Sequence, residues 1–373
     1  MPHVFLATGD LALDRDHYDE SFVASREVLR SADIVFGQLE TSFASMGTRL
    51  PQARHAVLAR PEGAVALADA GFNVISMAGN HCMDWGREAF FETKANLEAA
   101  GIKVVGAGAN IREAREPALF VLPDGTTVAV LAYSSILPHS FWADERRPGC
   151  APMRAHTVYE QIEHDQPGTP ARIHTFPHRE DLAAMQADIV RAKMLADLVF
   201  VSQHWGIHFV RAQLADYETH IARAAIEAGA DAVIGGHPHI IKGCQVIAGK
   251  PVFHCLCNFA TDLWMDEAHA KSKSWNEIRV LAEEWEPDFE GPYNFPAASR
   301  LAMVARFEIA GGKLLKAGFL PLHIGSDAVP RFPEPDSAQY SEVIDYLQAV
   351  TEEAGLNARY RRGAEMVELE GIQ

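Results

Sequence analysis

The sequence is poor in cysteine and has no long apolar run, and each shortage excludes a class of protein. Five cysteines in 373 residues is a low and odd count, and Cys255 and Cys257 have no second close pair with which to build a zinc ribbon. The thiols are therefore expected to be reduced, as they are in the cytosol. No window approaches ~18 uninterrupted apolar residues, so we expect no transmembrane helix.

Positive charge is also scarce. The chain has 33 Lys and Arg against 50 Asp and Glu, a net charge of −17, which argues against electrostatic binding to nucleic acid or to an anionic membrane surface. An anionic substrate remains compatible with this charge, because a bound metal reverses the sign of the local field. The first seven residues, Met-Pro-His-Val-Phe-Leu-Ala, contain no basic region and only a short apolar run. We therefore expect no signal peptide and a cytoplasmic protein.

The pattern of apolar residues predicts an α/β fold in a chain that is 48% hydrophobic and 22% charged. Predicted strands alternate with predicted helices up to residue 236, which indicates a buried, largely parallel sheet. The strands are expected at 4–7, 34–37, 74–77, 103–105, 127–133, 198–202 and 232–234. Later strands at 251–256, 302–309 and 314–320 are expected to be antiparallel and to form a second sheet, and 337–354 reads as a closing helix.

Two stretches interrupt this alternation. Residues 134–180 are rich in Pro, His and Arg and hold no long apolar run, so we expect an excursion across the active-site face rather than a linker. Residues 265–298 are polar and contain tryptophan. They are expected to form either a lid or an excursion at the edge of a sheet.

Side chains capable of metal chemistry follow five of the predicted strands. They are Asp10, Glu40, Asn80 with His81, His204, and His237 with His239. Alone, each has a simpler explanation, such as a helix cap, a surface charge, a turn residue or a core histidine. Together they favour a shared site, because ligands of α/β sheets bind outside the carboxyl ends of the strands.

The chemistry of this set favours two divalent ions. It contains carboxylates, an amide and imidazoles but no thiolate, which suits Mn, Fe or Zn in an open site rather than a structural zinc site. There are enough groups for two metals that share a carboxylate, ~3.5–4 Å apart, and such a pair can hold a bridging hydroxide.

In their order along the chain, the motifs resemble those of the CapA family, named for poly-γ-glutamate capsule synthesis, within the calcineurin-like metallophosphoesterase superfamily. The matching residues are Gly9-Asp10 with Arg15, Leu39-Glu40, Asn80-His81 with Asp84 and Gly86, His204-Trp205-Gly206, His237-Pro238-His239, and Asn258-Phe259. The resemblance covers residues 4–262 and, more loosely, 300–323. It implies a four-layer α/β/β/α sandwich with two mixed sheets. Residues 1–330 would form one metallophosphoesterase-like domain, with excursions at 134–180 and 265–298, and 331–373 a helical segment packed on it.

The resemblance also implies roles for individual residues. Asp10, Glu40 and His239 would hold one metal, and Glu40, Asn80, His204 and His237 the other. His81, its ring oriented by Asp84, would donate to the substrate or protonate the leaving group. Three further residues, Arg15, His208 and Asn258, are candidates for substrate binding. Arg15 can hold a carboxylate or phosphate with its forked guanidinium, although a surface salt bridge explains it equally well, and Asn258 can touch substrate or brace a loop.

Three positions depart from the family pattern. Gln38 stands where the family usually has Asn, and His208 stands where a Glu usually follows His-Trp-Gly. Ala12 stands where the wider metallophosphoesterases have a histidine. CapA-like chains share this difference from the wider superfamily. The alanine leaves the first metal with three protein ligands, unless His17 or His208 fills the gap.

Two functions fit these observations. The first is a dinuclear metal-dependent hydrolase whose bridging hydroxide attacks a small amide, lactam, imide or phosphoester. The second is a non-catalytic CapA-like subunit that binds a γ-glutamyl polymer or a synthase partner. The nearly complete ligand set favours the enzyme, and the net charge of −17 would repel a polyanion, so a small-molecule substrate is expected.

The missing histidine at position 12 generates a first testable prediction. Fewer protein ligands mean weaker binding, so mild chelation should remove the metal at Asp10, Glu40 and His239 before the other metal. Activity should fall with this first loss. Anomalous scattering from crystals grown at sub-stoichiometric metal would measure both occupancies. Equal occupancy, or a protein histidine that completes the first site, would contradict the prediction.

Overall fold

Two mixed β-sheets form the centre of the molecule in the computed structural model, which describes residues 2–282 and 284–373. The strands are β1 (His3–Ala12), β2 (Ile34–Leu39), β3 (Ser42–Phe43), β4 (Leu58–Ala59), β5 (Val74–Ser76), β6 (Lys103–Val105), β7 (Ala107–Gly108), β8 (Ala118–Val121), β9 (Thr127–Ser134), β10 (Gly149–Cys150), β11 (Ala155–Glu160), β12 (Arg172–Pro177), β13 (Leu198–His204), β14 (Ala232–Gly236), β15 (Ile241–Ile247), β16 (Lys250–Leu256), β17 (Asn258–Thr261), β18 (Leu301–Ala310), β19 (Lys313–Ile324), β20 (Pro330–Arg331), β21 (Tyr360–Arg362) and β22 (Val367–Leu369). The α-helices are α1 (Arg26–Arg30), α2 (Glu62–Ala70), α3 (Gly86–Ala99), α4 (Ile111–Ala114), α5 (Arg179–Lys193), α6 (Asp216–Glu227), α7 (Glu267–Ala270), α8 (Lys273–Ile278) and α9 (Ala338–Glu353).

Each sheet has a parallel centre and antiparallel additions. The first sheet runs β21-β22-β19-β18-β1-β2-β5-β6, and its strands β1, β2, β5 and β6 are parallel. The second runs β15-β16-β14-β13-β9-β8, with β16, β14, β13 and β9 parallel. Both sheets are therefore mixed, as the family resemblance implied.

The antiparallel pairing of the strands at 302–309 and 314–320 is confirmed, but the prediction that the later strands form a second, antiparallel sheet of their own is wrong. Strand β16 lies parallel to β14 in the second sheet, whereas β18 joins the first sheet antiparallel to β1 and β19 pairs antiparallel with β18. An apolar run shows that a strand is buried, but it does not show which sheet edge accepts its backbone hydrogen bonds.

The sheets face each other across an aromatic core. The rings of Phe5 in β1 and Phe200 in β13 have centroids 4.5 Å apart, and Phe307 of β18 lies 5.0 Å from Phe200. Because strand side chains alternate between faces, Val130 of β9 joins this inner core while the adjacent Leu131 packs outward with α5 and α6. This burial on both faces explains why the strands are apolar throughout.

Helices cover both outer faces. Helices α1, α2 and α3 bury Leu29, Leu67 and Phe90 against the first sheet, and α5 and α6 cover the second. The arrangement is the predicted four-layer α/β/β/α sandwich. In the described ranges, no helix is long and apolar enough to cross a membrane.

The C-terminal segment 331–373 contains strands as well as a helix. Helix α9 packs against β15 and β19, burying Val343 and Leu347. Strand β22 then pairs with β19, with Glu368 opposite Gly318, so the segment adds two strands to the first sheet. Strands of three residues are too short for a period-2 pattern to be recognised in the sequence.

The two excursions lie in different places. Strands β11 and β12 form an exposed hairpin within 134–180, and its Thr175 hydroxyl accepts a hydrogen bond from the Tyr217 N–H of α6. The hairpin is thus held at the N-terminal end of α6. The start of the excursion lies beside the predicted site, since the Ser135 N–H donates to the His204 carbonyl at 2.9 Å, but no residue of 134–180 is among those described as lining the cavity next to it. Segment 265–298 holds α7, α8, one 3-10 turn and the start of a second, and it lies against Phe209 near the strand ends.

Close packing at Gly9 generates a prediction about stability. A Cβ on Gly9 would overlap the carbonyl oxygen of Cys257, which accepts a hydrogen bond from Asp10 N–H at 3.1 Å. Gly9→Ala should therefore lower the free energy of unfolding by ~3 kcal/mol, the cost of overpacking a backbone contact. Gly101→Ala is the control, since that Cβ meets no atom within 4 Å and its φ of +84° alone should cost ~1–2 kcal/mol. Equal losses in urea unfolding would contradict the packing argument.

Candidate metal centre

Two carboxylates are buried side by side where β1 and β2 end. Asp10 is 0% exposed and Glu40 6% exposed. The parallel pairing of the strands sets their separation, since Glu40 N–H donates to the Leu11 carbonyl at 2.8 Å. Burial, and then the charge of Asp10, raise the pKa of Glu40 to about 8. A cation is needed if both groups are to be ionised at neutral pH.

His204 completes a three-residue cluster with these carboxylates. It ends β13, and its Nε2 lies 2.7 Å from Asn80 Oδ1 and 3.4 Å from Glu40 Oε1. One atom each of Asp10, Glu40 and His204 lies within 4.8 Å of the others. Ligand atoms on one divalent cation with bonds of ~2.1 Å lie ~3.0–3.4 Å apart. Burial lowers the pKa of His204 to about 3, which keeps its imidazole neutral, as metal ligation requires.

The other two histidines follow β14 on strained backbone. His237 and His239 have φ angles of +96° and +54°, a region that residues with side chains seldom occupy. The His237 N–H donates to Asp10 Oδ2 at 3.2 Å. His239 Nδ1 lies 3.2 Å from the same oxygen and 2.7 Å from Asn258 Oδ1. Since Nδ1 faces two acceptors, it carries the proton and leaves the lone pair of His239 on Nε2.

Unpaired buried atoms test whether a cation fits here. Four atoms of the site have no hydrogen-bond partner among the described residues: Asp10 Oδ1, Glu40 Oε2, His204 Nδ1 and His237 Nδ1. Each unpaired buried polar group costs ~1–3 kcal/mol, so a concentration of them indicates an absent ligand. The glycine at position 236 leaves room for a ligand beside Asp10. A side chain there would fill that room, since its Cβ would lie only 2.9 Å from Asp10 Oδ1. The oxygen and nitrogen donors therefore fit a divalent cation of the Mn, Fe or Zn type.

His81 and Asp84 form a pair beside the cluster. His81 Nδ1 lies 2.6 Å from Asp84 Oδ2, and its Nε2 lies 3.7 Å from Glu40 Oε2. Burial alone would lower the pKa of His81, but the Asp84 carboxylate outweighs it and raises the pKa to about 9. The ring can therefore hold a proton at neutral pH next to the carboxylates.

The candidate substrate-binding residues lie in three different settings. Arg15 forms a forked ion pair with Asp262, with Nε 3.0 Å from Oδ2, and lies outside the cavity that borders the cluster. Asn258 is fully buried and braces His239. His208 lines the cavity, and its ring centroid lies 3.9 Å from that of His237. Their roles toward a substrate stay predictions.

The structure also locates Ala12 and the two histidines, His17 and His208, that could replace the ligand missing at position 12. Ala12 lines the cavity near Glu40. His17 is exposed and lies outside the described cavity wall, whereas His208 is part of it. His208 is therefore the better placed of the two to reach the first metal.

A buried lysine that the sequence did not single out holds the loop carrying His208. Lys242 of β15 is 0% exposed, and its ammonium donates to the carbonyls of Val210 and Gln213. Burial lowers the pKa of Lys242. Its charge in a largely apolar strand was the available signal, because a lysine that is buried there needs specific acceptors.

The sequence offered segment 265–298 as a lid or an edge excursion, but it did not identify which of its residues line a cavity opposite the cluster. The cavity has a volume of about 280 Å³, and aromatic and apolar side chains from segment 265–298 line much of it. Trp275 and Trp285 are 2% and 6% exposed. Tryptophans in a polar segment were the signal, but the sequence does not show what they pack against.

Comparison with known proteins finds capsule synthesis proteins. The family model described as bacterial capsule synthesis protein PGA_cap matches residues 4–263. The PGA biosynthesis protein CapA of Bacillus subtilis is 26% identical over 245 residues, which are 65% of this chain and 57% of that protein. A probable polyglutamine synthesis accessory protein of Mycobacterium tuberculosis is 26% identical over 324 residues, 85% of this chain and 73% of that protein. The chain thus spans little more than half of the Bacillus relative.

Two solved structures are distantly similar. A hypothetical protein from Thermus thermophilus has a TM-score of 0.47 and 15% identity, covering 86% of this chain and 99% of that one. The calcineurin-like phosphoesterase YfkN from Bacillus subtilis has a TM-score of 0.39 and 11% identity, covering 94% and 97%. Both scores lie below 0.5, so the fold assignment rests on the strand order and packing described above.

The narrow space at Gly236 generates a prediction about metal binding. Gly236→Ala should displace the Asp10 carboxylate and lower metal content while the fold is retained, because the new Cβ crowds Asp10 Oδ1. Gly37→Ala is the control, since its Cβ would meet the Leu11 side chain in the core and should reduce stability but not metal content. Elemental analysis and thermal unfolding distinguish the two effects. Full metal content in Gly236→Ala would exclude Asp10 as a ligand in this orientation.

Proposed function

Because this chain belongs to the family of the bacterial capsule synthesis protein PGA_cap, we propose that it is a dinuclear metal-dependent hydrolase acting on a small amide, lactam, imide or phosphoester. The observation that carries the proposal is the buried cluster of Asp10, Glu40 and His204, whose ligand atoms lie within 4.8 Å of one another and which includes buried atoms without a hydrogen-bond partner among the described residues. A protein that only bound a partner would have no need to keep such a destabilising arrangement.

Two sets of side chains would hold the ions. Asp10, Glu40 and His239 would hold one, and Glu40, Asn80, His204 and His237 the other. The unpaired Nδ1 of His237 and the Nε2 lone pair of His239 support the inclusion of both histidines. When bound, the ions supply a hydroxide nucleophile at neutral pH and positive charge against the developing transition state.

His81 would act as the general acid. Asp84 fixes the Nδ1 side of the ring at 2.6 Å, so the Nε2–H is the proton that can be given up. After transfer to a leaving nitrogen or oxygen, the ring keeps its Nδ1–H bonded to Asp84 and stays in position. This role suits an amide as well as a phosphoester, because both need a protonated leaving group.

A small substrate is favoured over a polymer. The names of two relatives refer to PGA biosynthesis and to polyglutamine synthesis, and a γ-glutamyl link is itself an amide. The cavity beside the cluster, however, measures only about 280 Å³, and the net charge of −17 opposes a polyanion. Five buried free thiols support the proposed cytoplasmic location.

Metal content and turnover test the proposal together. Purified protein should contain about two Mn, Fe or Zn ions per chain and hydrolyse members of a panel of lactams, cyclic imides and phosphoesters. His81→Ala should keep its metal and lose ~10²–10⁴ in turnover, the range for a lost general acid, whereas His237→Ala should lose metal.

The exposed His220 of α6 provides the matched control, and His220→Ala should change neither quantity. A folded wild-type protein without metal would overturn the proposed function and favour the non-catalytic subunit. Loss of metal from His81→Ala would show that His81 is a ligand rather than the acid.

A further inference from the structure

An aromatic wall faces the candidate metal centre and comes largely from outside the family match. That match ends at residue 263. Trp285 packs on Phe209 with centroids 4.8 Å apart and on Trp275 at 4.6 Å. Phe209 in turn stacks at 5.9 Å on the ring of His239, a proposed metal ligand. The wall therefore begins at the metal centre itself.

The cavity between this wall and the cluster is small and asymmetric. Its polar side includes the candidate site residues Glu40, Asn80, His81, His208 and His239, and Arg54 and Glu277 also line the cavity. Its apolar side is formed by Met265, Trp275, Ile278, Leu281, Trp285 and Phe295. An apolar cavity of ~150 Å³ accommodates one benzene ring, so about 280 Å³ has room for a group of one or two rings.

The acidic groups near the wall are already paired. Glu277 lies 3.1 Å from the Arg54 guanidinium, and Asp262 is held by Arg15. A γ-glutamyl chain would carry a carboxylate on every residue into this space. Each would lose water against tryptophan and phenylalanine, and the one arginine of the described cavity wall, Arg54, already pairs with Glu277, so this burial is unfavourable. A flat, uncharged ring instead gains stacking contacts beside His239.

We infer that the cavity takes a substrate with an aromatic or heteroaromatic group of one or two rings directly next to the bond that is cleaved. The cleavage itself rests on the proposed function, but recognition of the ring does not require turnover. The two can therefore fail separately.

Ligand pairs that differ only in the ring test the inference by binding. Metal-loaded protein would be titrated calorimetrically with phenylphosphonate against methylphosphonate, and with benzamide against acetamide. The aryl member should bind at least about 10-fold more tightly in one or both pairs, since burying a ring against an apolar wall is worth at least that factor. The pair that responds shows whether the head group is a phosphoryl or an amide. Equal affinities within both pairs would overturn the inference.

Two neighbouring residues of one 3-10 turn, Arg279–Leu281, provide matched variants. Leu281 lines the cavity and is 41% exposed, whereas Val280 is 66% exposed and lies outside the described wall. Leu281→Ala should weaken phenylphosphonate or benzamide binding about 3- to 10-fold, because apolar contact area is removed, and leave the small partner ligand unchanged. Val280→Ala should change neither. Both side chains are largely at the surface, so both variants should fold.

Turnover separates this inference from the proposed function. A ring preference in binding without hydrolysis of any substrate would retain the cavity assignment and remove the hydrolase. Hydrolysis with equal kcat/KM for aryl and alkyl substrates, and no effect of Leu281→Ala, would retain the hydrolase and overturn the ring-binding assignment.

Discussion

The burial of two carboxylates against each other is the constraint on which the rest of the site depends. Asp10 and Glu40 lie at the ends of adjacent parallel strands, and the backbone bond from Glu40 to Leu11 leaves them little freedom to separate. Because both carboxylates are buried, a proton or a cation is needed to offset their mutual repulsion. The neutral imidazole of His204 and the amide oxygen of Asn80 are further donors to the same space. A cation bound by all of these groups would explain why each of them is buried here.

Strained backbone around the site is maintained by the apolar sandwich beneath it. His237, His239 and Cys257 all have positive φ angles, which cost ~1–3 kcal/mol each in residues other than glycine. These residues follow strands whose inner faces pack into the aromatic core at Phe5 and Phe200. A close-packed core deforms little, so it can hold a turn that would relax on its own. The conformation of the site therefore depends on the packing of the core beneath it.

The cluster and the cavity wall differ in origin. All the proposed ligands lie within residues 4–263, the part that matches the family model, whereas most of the apolar wall lies beyond it. The strand ends that carry the cluster and the segment that carries the wall are thus separate parts of the chain, joined only by the fold.

The sequence by itself determined the features that are local along the chain. Short apolar runs ending in Asp10, His204 or His237 identified both the strands and the groups at their ends, since a buried strand and its final turn have recognisable compositions. The two mixed sheets followed from the family resemblance that these motifs support. Only the tertiary structure decided that β18 and β19 join the first sheet, that Arg15 pairs with Asp262, and that Trp285 reaches Phe209. The physical reason is that these contacts join residues far apart in the chain. Which distant surfaces meet depends on how all the layers pack, and hydrophobic periodicity records only that a face is buried.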